Sequence, residues 1–352
     1  MNPEQDPRFF ALLVHRGLIS AELAQAALGS ADPAGYLIRG GHVTDDSWRE
    51  WVDTQAGERP SLKRYELGDL IGEGGTARVF EAVDRVEGGT VALKILRTKF
   101  CSDPVATGAF VRESKLLMEL QHGHIVKGFR VAREGSSIYC AMELVRGDCL
   151  QDRLNGGERV EEELALRIVT QVAEALSYLN THGLVHRDVK PGNIILDGEG
   201  RAVLLDLGFA VKTDSGVSAE SETTAGTAHY ISPEQARGQQ DIDVRADIYS
   251  LGATLYHLIT GSLPFAGGSS EEVMAKQVLE ALSGREIRAL GLSPQTHYFI
   301  EKMMAKDKEN RFQDSEDLRS EVSAYLESKE EERRAEDQAA TRKKARRGRR
   351  LM

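Results

Sequence analysis

The sequence predicts an α+β fold in two lobes, preceded by a small all-α module. Three observations predict it. Between Tyr65 and Leu144, short runs rich in Val, Ile and Leu (Val91–Leu96, Ile138–Leu144) alternate with turn signals, which is how strands read. From Glu161 onward the stretches are longer and amphipathic, as in Glu161–His182 and Ala246–Thr260, and a β-rich part followed by an α-rich part makes an α+β enzyme. Ahead of both, residues 8–28 place their apolar side chains at helical spacing.

Taken in order, residues 1–56 form the helical module. Its first helix is expected to break at Arg16-Gly17, and Ser20 fits the cap of the next. A fainter copy follows in Tyr36, Leu37 and Ile38, then Gly40-Gly41, then Thr44 ahead of a helix carrying Trp48 and Trp51. Gly17 and Gly41 are 24 residues apart, so the module reads as two helix–turn–helix units, too few for a solenoid. It is expected to be a packing appendage, or else a specific docking module for a partner or a sensing module. Residues 57–64, with Gly57 and Pro60, read as a linker. Residues 65–326 are the main domain, with a small lobe at 65–142 and a large lobe at 147–326. The tail, 327–352, begins acidic and ends in RKKARRGRR. It is expected to be a flexible solvated tail or a continued surface helix, with acidic partners for its basic end.

Composition narrows the function classes. Hydrophobic content of 41% and charged content of 28% are those of a soluble globular chain. A net charge of -10 argues against a general nucleic-acid binder. Cys101, Cys140 and Cys149 cannot all pair, and none stands at metal-ligand spacing. No apolar run approaches the roughly 18 residues of a transmembrane helix, and MNPEQDPRFF lacks the basic start and apolar stretch of a signal peptide. The expected compartment is the cytoplasm.

The chemistry-bearing motifs lie in the main domain. In IGEGGTARVF (Ile71–Phe80), Gly72, Gly74 and Gly75 would let a hairpin lie close over a triphosphate, where a Cβ would hold the backbone off; glycine also tolerates unusual dihedrals. In VALK (Val91–Lys94), a lysine within an apolar strand is costly unless paired. Phosphates and a carboxylate would pair it, and Glu113, in a helix expected over Thr107–Leu120, is the candidate. HRDVKPGN (His186–Asn193) gathers a proton acceptor, Asp188, a cation, Lys190, and an amide, Asn193, in one loop. Asp206, in LLDLGFA, follows apolar strand residues and precedes Gly208. These types serve phosphoryl transfer: a carboxylate for the hydroxyl, a cation for the moving charge and hard oxygens for magnesium.

In their order and spacing these motifs resemble the protein-kinase signature set. The resemblance extends to GTAHYISPEQARG (Gly226–Gly238), similar to the close of an activation loop, and to DVRADIYSLGATLYHLITG (Asp243–Gly261), similar to the central large-lobe helix with Asp247 as its buried anchor. Arg311 stands where the family's partner for Glu234 would be. HRDVKPGN and GTAHYISPEQARG look most like the eukaryotic-like serine/threonine kinases of bacteria. The resemblance implies a two-lobed protein kinase fold, with a β-rich small lobe and an α-rich large lobe. It also implies transfer of the γ-phosphoryl group of ATP to protein serine or threonine hydroxyls in a signalling role.

The roles it implies attach to matching residues. Asp188 is the base and Lys190 steadies the γ-phosphate, while Asn193 and Asp206 hold magnesium, with manganese as a substitute. Lys94 contacts the α- and β-phosphates and pairs with Glu113. Backbone amides of the loop Ile71, Gly72, Glu73, Gly74, Gly75, Thr76 and Ala77 cover the phosphates. Met142 guards the adenine pocket, backbone groups of Glu143 and Val145 bond the purine, and Val79 and Ala92 roof it. Lys190 and Thr227 favour serine or threonine over tyrosine. Arg187, next to Asp188, marks control by loop phosphorylation, for which Thr213, Ser215, Ser218 and Ser221 are available and Thr223 and Thr224 are preferred. Three positions depart from the common pattern: Ala77 for the third loop glycine, Leu207 for phenylalanine and Ser232 for alanine. The alternative is a kinase-like scaffold with little activity. The intact set Lys94, Glu113, Asp188, Asn193 and Asp206 distinguishes the enzyme from it.

Overall fold

The computed structural model describes residues 6–15, 18–44, 47–48, 51, 60–208, 210–212, 227–282 and 291–348. The expected break at Arg16-Gly17 and the loop hydroxyls from Thr213 to Thr224, Thr223 and Thr224 among them, lie outside these residues, as does the side chain of Thr227. The chain divides into two compact units, one of residues 1–115 and 128–144, the other of 116–127 and 145–352.

The first unit opens with helices α1 (Pro7–His15), α2 (Ala21–Leu28) and α3 (Pro33–Arg39). The Ser20 hydroxyl accepts the Leu23 N–H at 3.2 Å, the cap expected for α2. Thr44 does the same for the Ser47 N–H at 3.1 Å. Phe9, Phe10, Leu13, Leu37 and Trp48 close a small core of their own, with Phe9 edge-on to Trp48 at 5.5 Å between ring centroids.

Strands β1 (Tyr65–Glu73), β2 (Ala77–Asp84) and β3 (Thr90–Leu96), helix α4 (Pro104–Glu119), and strands β4 (Gly128–Glu134) and β5 (Ser137–Met142) follow. The strands form one sheet in the order β1-β2-β3-β5-β4, antiparallel throughout. Alternation sorts its side chains by face. Phe80, Ala82, Val91, Leu93, Ile95, Tyr139 and Ala141 make the core on one side. Ala77, Leu96, Ile138 and Cys140 meet Phe110 of α4 on the other. That second face also carries Val79, Ala92, Lys94 and Met142, since Val79 pairs with Lys94 and Ala92 with Met142. The strand period thus puts an apolar pair and a lysine in one row.

Residues 116–127, within the range expected for the small lobe, belong to the second unit. Ile125 bridges Leu204, the Val126 N–H donates to the Leu204 carbonyl at 2.9 Å, and the Gln121 N–H donates to the Tyr178 hydroxyl at 3.1 Å. The second unit continues through β6 (Gly147–Cys149), α5 (Leu150–Asn155), α6 (Glu162–Thr181), β7 (Leu184–Val185), β8 (Ile194–Asp197), β9 (Ala202–Leu204) and β10 (Val211–Lys212). Helices α7 (Pro233–Ala236), α8 (Val244–Thr260), α9 (Ser270–Leu279), α10 (Pro294–Met303) and α11 (Ser315–Gly348) complete it. Helix α8 is buried nearly all round, as befits a helix at the centre of a core. Gly252 lets α10 approach it: a Cβ there would stand 2.7 Å from the Met303 Cβ. Helix α11 lies against α6, with its Leu318, Val322 and Leu326 buried, and Arg167 of α6, which also donates to its neighbour Glu163 at 2.8 Å, reaches Glu330 of α11 at 2.6 Å. The acidic part of the tail therefore continues as a surface helix. Among the described residues no helix is long and apolar enough to cross a membrane.

Candidate active site

In the first unit the site is built on β1, β2, β3 and α4. Lys94 projects from the middle of β3, and its Nζ donates to the Glu113 carboxylate at 2.5 Å. Both side chains are largely buried, at 15% and 11% exposure, so the strand lysine is paired as its burial requires. Helix α4 begins at Pro104, three residues before the expected start. This leaves the register of Glu113 unaffected.

The β1–β2 hairpin is tied down from its flanks. The Gly74 N–H donates to the Ala77 carbonyl at 2.9 Å. The Arg97 Nε donates to the Gly74 carbonyl at 3.0 Å, and Arg97 and Arg78 both grip the Glu73 carboxylate, at 2.8 and 3.0 Å. Burial raises the Glu73 carboxyl, but the two guanidinium groups outweigh it and hold it below its ordinary value. None of Gly72, Gly74 and Gly75 has a positive φ, so unusual dihedrals are not why glycine stands there. A Cβ at Gly75 would meet no protein atom within 4 Å, and one at Gly72 or Gly74 nothing closer than 3.5 Å. The fold itself does not demand these glycines, whereas a ligand lying against the hairpin would. Ala77 departs from glycine for a local reason: its methyl is 5% exposed and fills the core beside Leu96 and Phe110. Ala92 and Met142 are buried on the Lys94 face, Val79 is half-buried, and Thr76 and Ile71 are exposed.

In the second unit the loop His186–Asn193 leaves β7 and enters β8. Asp247, from the first turn of α8, accepts the His186 N–H at 2.8 Å and the Arg187 N–H at 2.7 Å. This is the buried anchor expected for that aspartate. Arg187 has φ 67, the only positive φ among the described non-glycine residues, a conformation that costs about 1–3 kcal/mol and persists only where neighbours impose it. Complete burial pushes the Asp247 carboxyl up to about 7 against those two donors. Burial likewise pushes His186 down to about 4, so its ring is neutral at pH 7. Its Nδ1 then accepts the Asp188 N–H at 3.2 Å.

Asp188 is 6% exposed, and its two oxygens are treated differently. Oδ2 accepts from Lys190 at 2.7 Å and from the Asn193 amide at 2.9 Å. Oδ1 is buried and has no hydrogen-bond partner among the described residues. Burial pushes the carboxyl above the ordinary aspartate value, against Lys190 and Asn193, which pull it down. The Asn193 Nδ2 also donates to the Asp188 carbonyl at 2.8 Å. With both amide hydrogens engaged, its Oδ1 is the atom left to act as a ligand. Asp206 is half-buried past the end of β9, and its Oδ1 accepts the Gly208 N–H at 2.8 Å.

Behind this loop, Arg311 and Glu234 form the expected pair as a two-pronged contact, with Nη1 to Oε1 at 2.6 Å and Nη2 to Oε2 at 2.8 Å. A family model described as Protein kinase domain matches residues 65–322.

The chain belongs to the protein kinase family.

Bacterial kinases are among its curated relatives. It is 33% identical over 274 residues to a probable serine/threonine-protein kinase PknB of Bifidobacterium longum, covering 75% of this chain and 40% of the relative. The corresponding figures for the serine/threonine-protein kinase PknB of Mycobacterium tuberculosis are 35% over 265 residues, 74% and 42%. For that of Mycobacterium leprae they are 35% over 264 residues, 74% and 42%. The kinase chain thus spans about 40% of the length of these relatives. The family uses ATP and a divalent metal in general. Among the described residues no group of three or more His, Cys, Asp and Glu side chains is arranged to hold a metal ion. A cation held here would rest on the Asn193 Oδ1 and Asp206, with further oxygens from the nucleotide and water, the usual manner for magnesium.

The structure adds residues to the kinase site that the motifs did not mark. Arg97 and Arg78 tether the hairpin, and nothing in the sequence distinguishes them from surface arginines. Gln235 donates its Nε2 to the Arg187 carbonyl at 3.0 Å. The S-x-x-Q spacing of a capping box was a readable signal for its role at the start of α7, where that box is present.

Proposed function

We propose that the chain is an ATP-dependent serine/threonine protein kinase whose transfer is carried out at Asp188. The carrying observation is the division of labour on that carboxylate. Oδ2 is saturated by Lys190 and Asn193, while Oδ1 is buried without a partner. An unpaired buried carboxylate oxygen is costly, and a substrate hydroxyl would satisfy it. Asp188 orients that hydroxyl and accepts its proton, with an affinity for the proton raised by burial. Lys190, held on the same carboxylate, faces the charge that develops as the phosphoryl group moves. Lys94, kept in place by Glu113, meets the α- and β-phosphates. The hairpin amides from Ile71 to Ala77 lie against the phosphates, and the adenine rests among Val79, Ala92 and Met142, with backbone bonds to Glu143 and Val145. Asn193 and Asp206 would hold magnesium, which would supply neutralising charge for the phosphates, and manganese would offer the same hard-cation chemistry. The serine/threonine preference is supported by the names of the relatives and by Lys190 two residues after Asp188.

Loop phosphorylation is supported by Arg187. Its Nε is buried with no hydrogen-bond partner among the described residues, and burial lowers its pKa while Asp247 opposes that shift. A phosphate on Thr223 or Thr224 would satisfy the guanidinium. Incubation with labelled ATP, magnesium and a peptide library tests the reading: phosphate is expected on serine and threonine peptides with the wild-type chain and on none with Asp188→Asn. Transfer only to tyrosine, or equal transfer by both proteins, would refute it.

A further inference from the structure

The peptide unit between Arg187 and Asp188 sets where the Asp188 side chain points, and it is gripped at both ends. Its N–H donates to the His186 Nδ1 at 3.2 Å, and its carbonyl accepts from the Gln235 Nε2 at 3.0 Å. The two N–H groups before it are held by Asp247. Gln235 is therefore the one side chain among the described residues recorded on the carbonyl of this strained residue.

The orientation of the Gln235 amide follows from Ser232. The Ser232 backbone N–H donates to the Gln235 Oε1 at 3.2 Å, and its hydroxyl donates to the same atom at 2.9 Å. A backbone N–H only donates, so the amide atom facing it must be the oxygen. The nitrogen then faces Arg187. The serine hydroxyl in turn accepts the Gln235 N–H at 3.3 Å. Ser232 is fully buried and Gln235 half-buried. The serine that stands where alanine is more usual thus aims the glutamine at the residue before Asp188.

We propose that Ser232 and Gln235 are positioning residues for the phosphoryl transfer, acting through the Arg187 carbonyl on the direction of Asp188. The arrangement links the start of α7, which closes the segment 227–232, to the loop that carries the base. Gln235 touches no reacting atom and adds no charge. It selects one orientation of the Arg187–Asp188 peptide, so its loss lets Asp188 sample directions in which Oδ1 does not meet the hydroxyl. Ser232 works one step further back: without its hydroxyl, the backbone N–H alone orients the amide.

The proposal rests on the kinase reading, and wild-type transfer measured in parallel tests that reading separately. Steady-state kinetics on one serine peptide would be compared for the wild type, Gln235→Leu, Ser232→Ala and the double variant, with the melting temperature of each. Gln235→Leu is expected to lower kcat about tenfold, roughly the worth of one lost hydrogen bond in the transition state. Its KM for ATP should stay within about twofold, because no nucleotide contact is changed. Ser232→Ala should lower kcat by less, about threefold, since one donor to Oε1 remains. The double variant should match Gln235→Leu alone, because Ser232 acts only through the glutamine. A kcat within twofold of wild type for Gln235→Leu would overturn the proposal, as would losses of kcat that multiply in the double variant. If Gln235→Leu does not fold, Ser232→Ala decides: alanine fits within the serine's volume, and an unchanged kcat there would overturn the proposal equally.

Discussion

Arg311 offers the sharpest test of how the large unit is held together. Every N–H of its guanidinium is used. Nη1 donates to the Glu234 Oε1 at 2.6 Å and to the Arg245 carbonyl at 2.8 Å. Nη2 donates to Oε2 at 2.8 Å and to the Lys306 carbonyl at 3.3 Å, and Nε donates to the Ala305 carbonyl at 2.7 Å. The side chains are 0% and 5% exposed. Replacing Arg311 by Met leaves a buried, uncompensated carboxylate, which costs about 3–5 kcal/mol. In a unit of this size that corresponds to a fall in melting temperature of about 6–20 °C. Arg311→Lys should fall between, because three donors cannot serve five acceptors and the planar fork is lost. Combining Arg311→Met with Glu234→Leu removes the stranded charge and should recover at least about 1 kcal/mol relative to Arg311→Met alone. Recovery will be incomplete, because three carbonyls still lack a donor. Urea unfolding followed by circular dichroism, at one pH and salt concentration, measures all four proteins. A loss below about 1 kcal/mol for Arg311→Met, or a double variant no more stable than the single, would refute the reasoning.

The other predictions concern Lys94, Asp188 and Asp247. Lys94→Met is expected to cost about 100-fold or more in kcat, because in the proposed mechanism the lysine meets phosphate charge, and also to lower the melting temperature, because the Glu113 carboxylate, 11% exposed, loses its partner; coupled ATPase and thermal-shift measurements check this. Burial raises the Asp188 carboxyl, and a base must be ionised to act. The acidic limb of kcat against pH should therefore lie above the ordinary aspartate value of about 3.9, and a limb at or below it would contradict the assignment. Asp247 is pushed up to about 7, so between the ordinary value near 3.9 and 7 the folded chain keeps a proton that the unfolded chain has lost. Stability should fall as pH rises through that window, and Asp247→Ala should remove this slope. The same variant orphans the two N–H groups of His186 and Arg187, at a cost of about 2–6 kcal/mol, which equilibrium unfolding would show.

Much of the site was legible in the chain because its chemistry is local. A lysine in an apolar strand needs a partner, and the structure supplies Glu113. Asp188, Lys190 and Asn193 lie within one loop, and the loop brings them onto a single carboxylate. What pattern alone could not supply were contacts made across long stretches of sequence. Glu234 and Arg311 were paired through the family resemblance, since nothing in either segment names the other. Gln235 was readable as part of a capping box, but its amide nitrogen ends on a carbonyl 48 residues away, and only the packed chain shows that. Arg97 and Arg78 look like ordinary surface charges until the hairpin folds over Glu73. The conformational argument for the hairpin glycines failed for a plain reason. Their φ values are ordinary, and what they provide is open space.

The central claim is that Asp188 takes the proton of the acceptor hydroxyl while other residues hold the nucleotide. It is tested most directly by measuring, on the same preparation of Asp188→Asn, kcat for peptide phosphorylation at saturating ATP and the Kd for ATP by calorimetry. The account predicts a kcat lower by about 100- to 10,000-fold, the usual worth of a general base, with a Kd for ATP within about threefold of wild type. Wild-type-like kcat in that variant would contradict it.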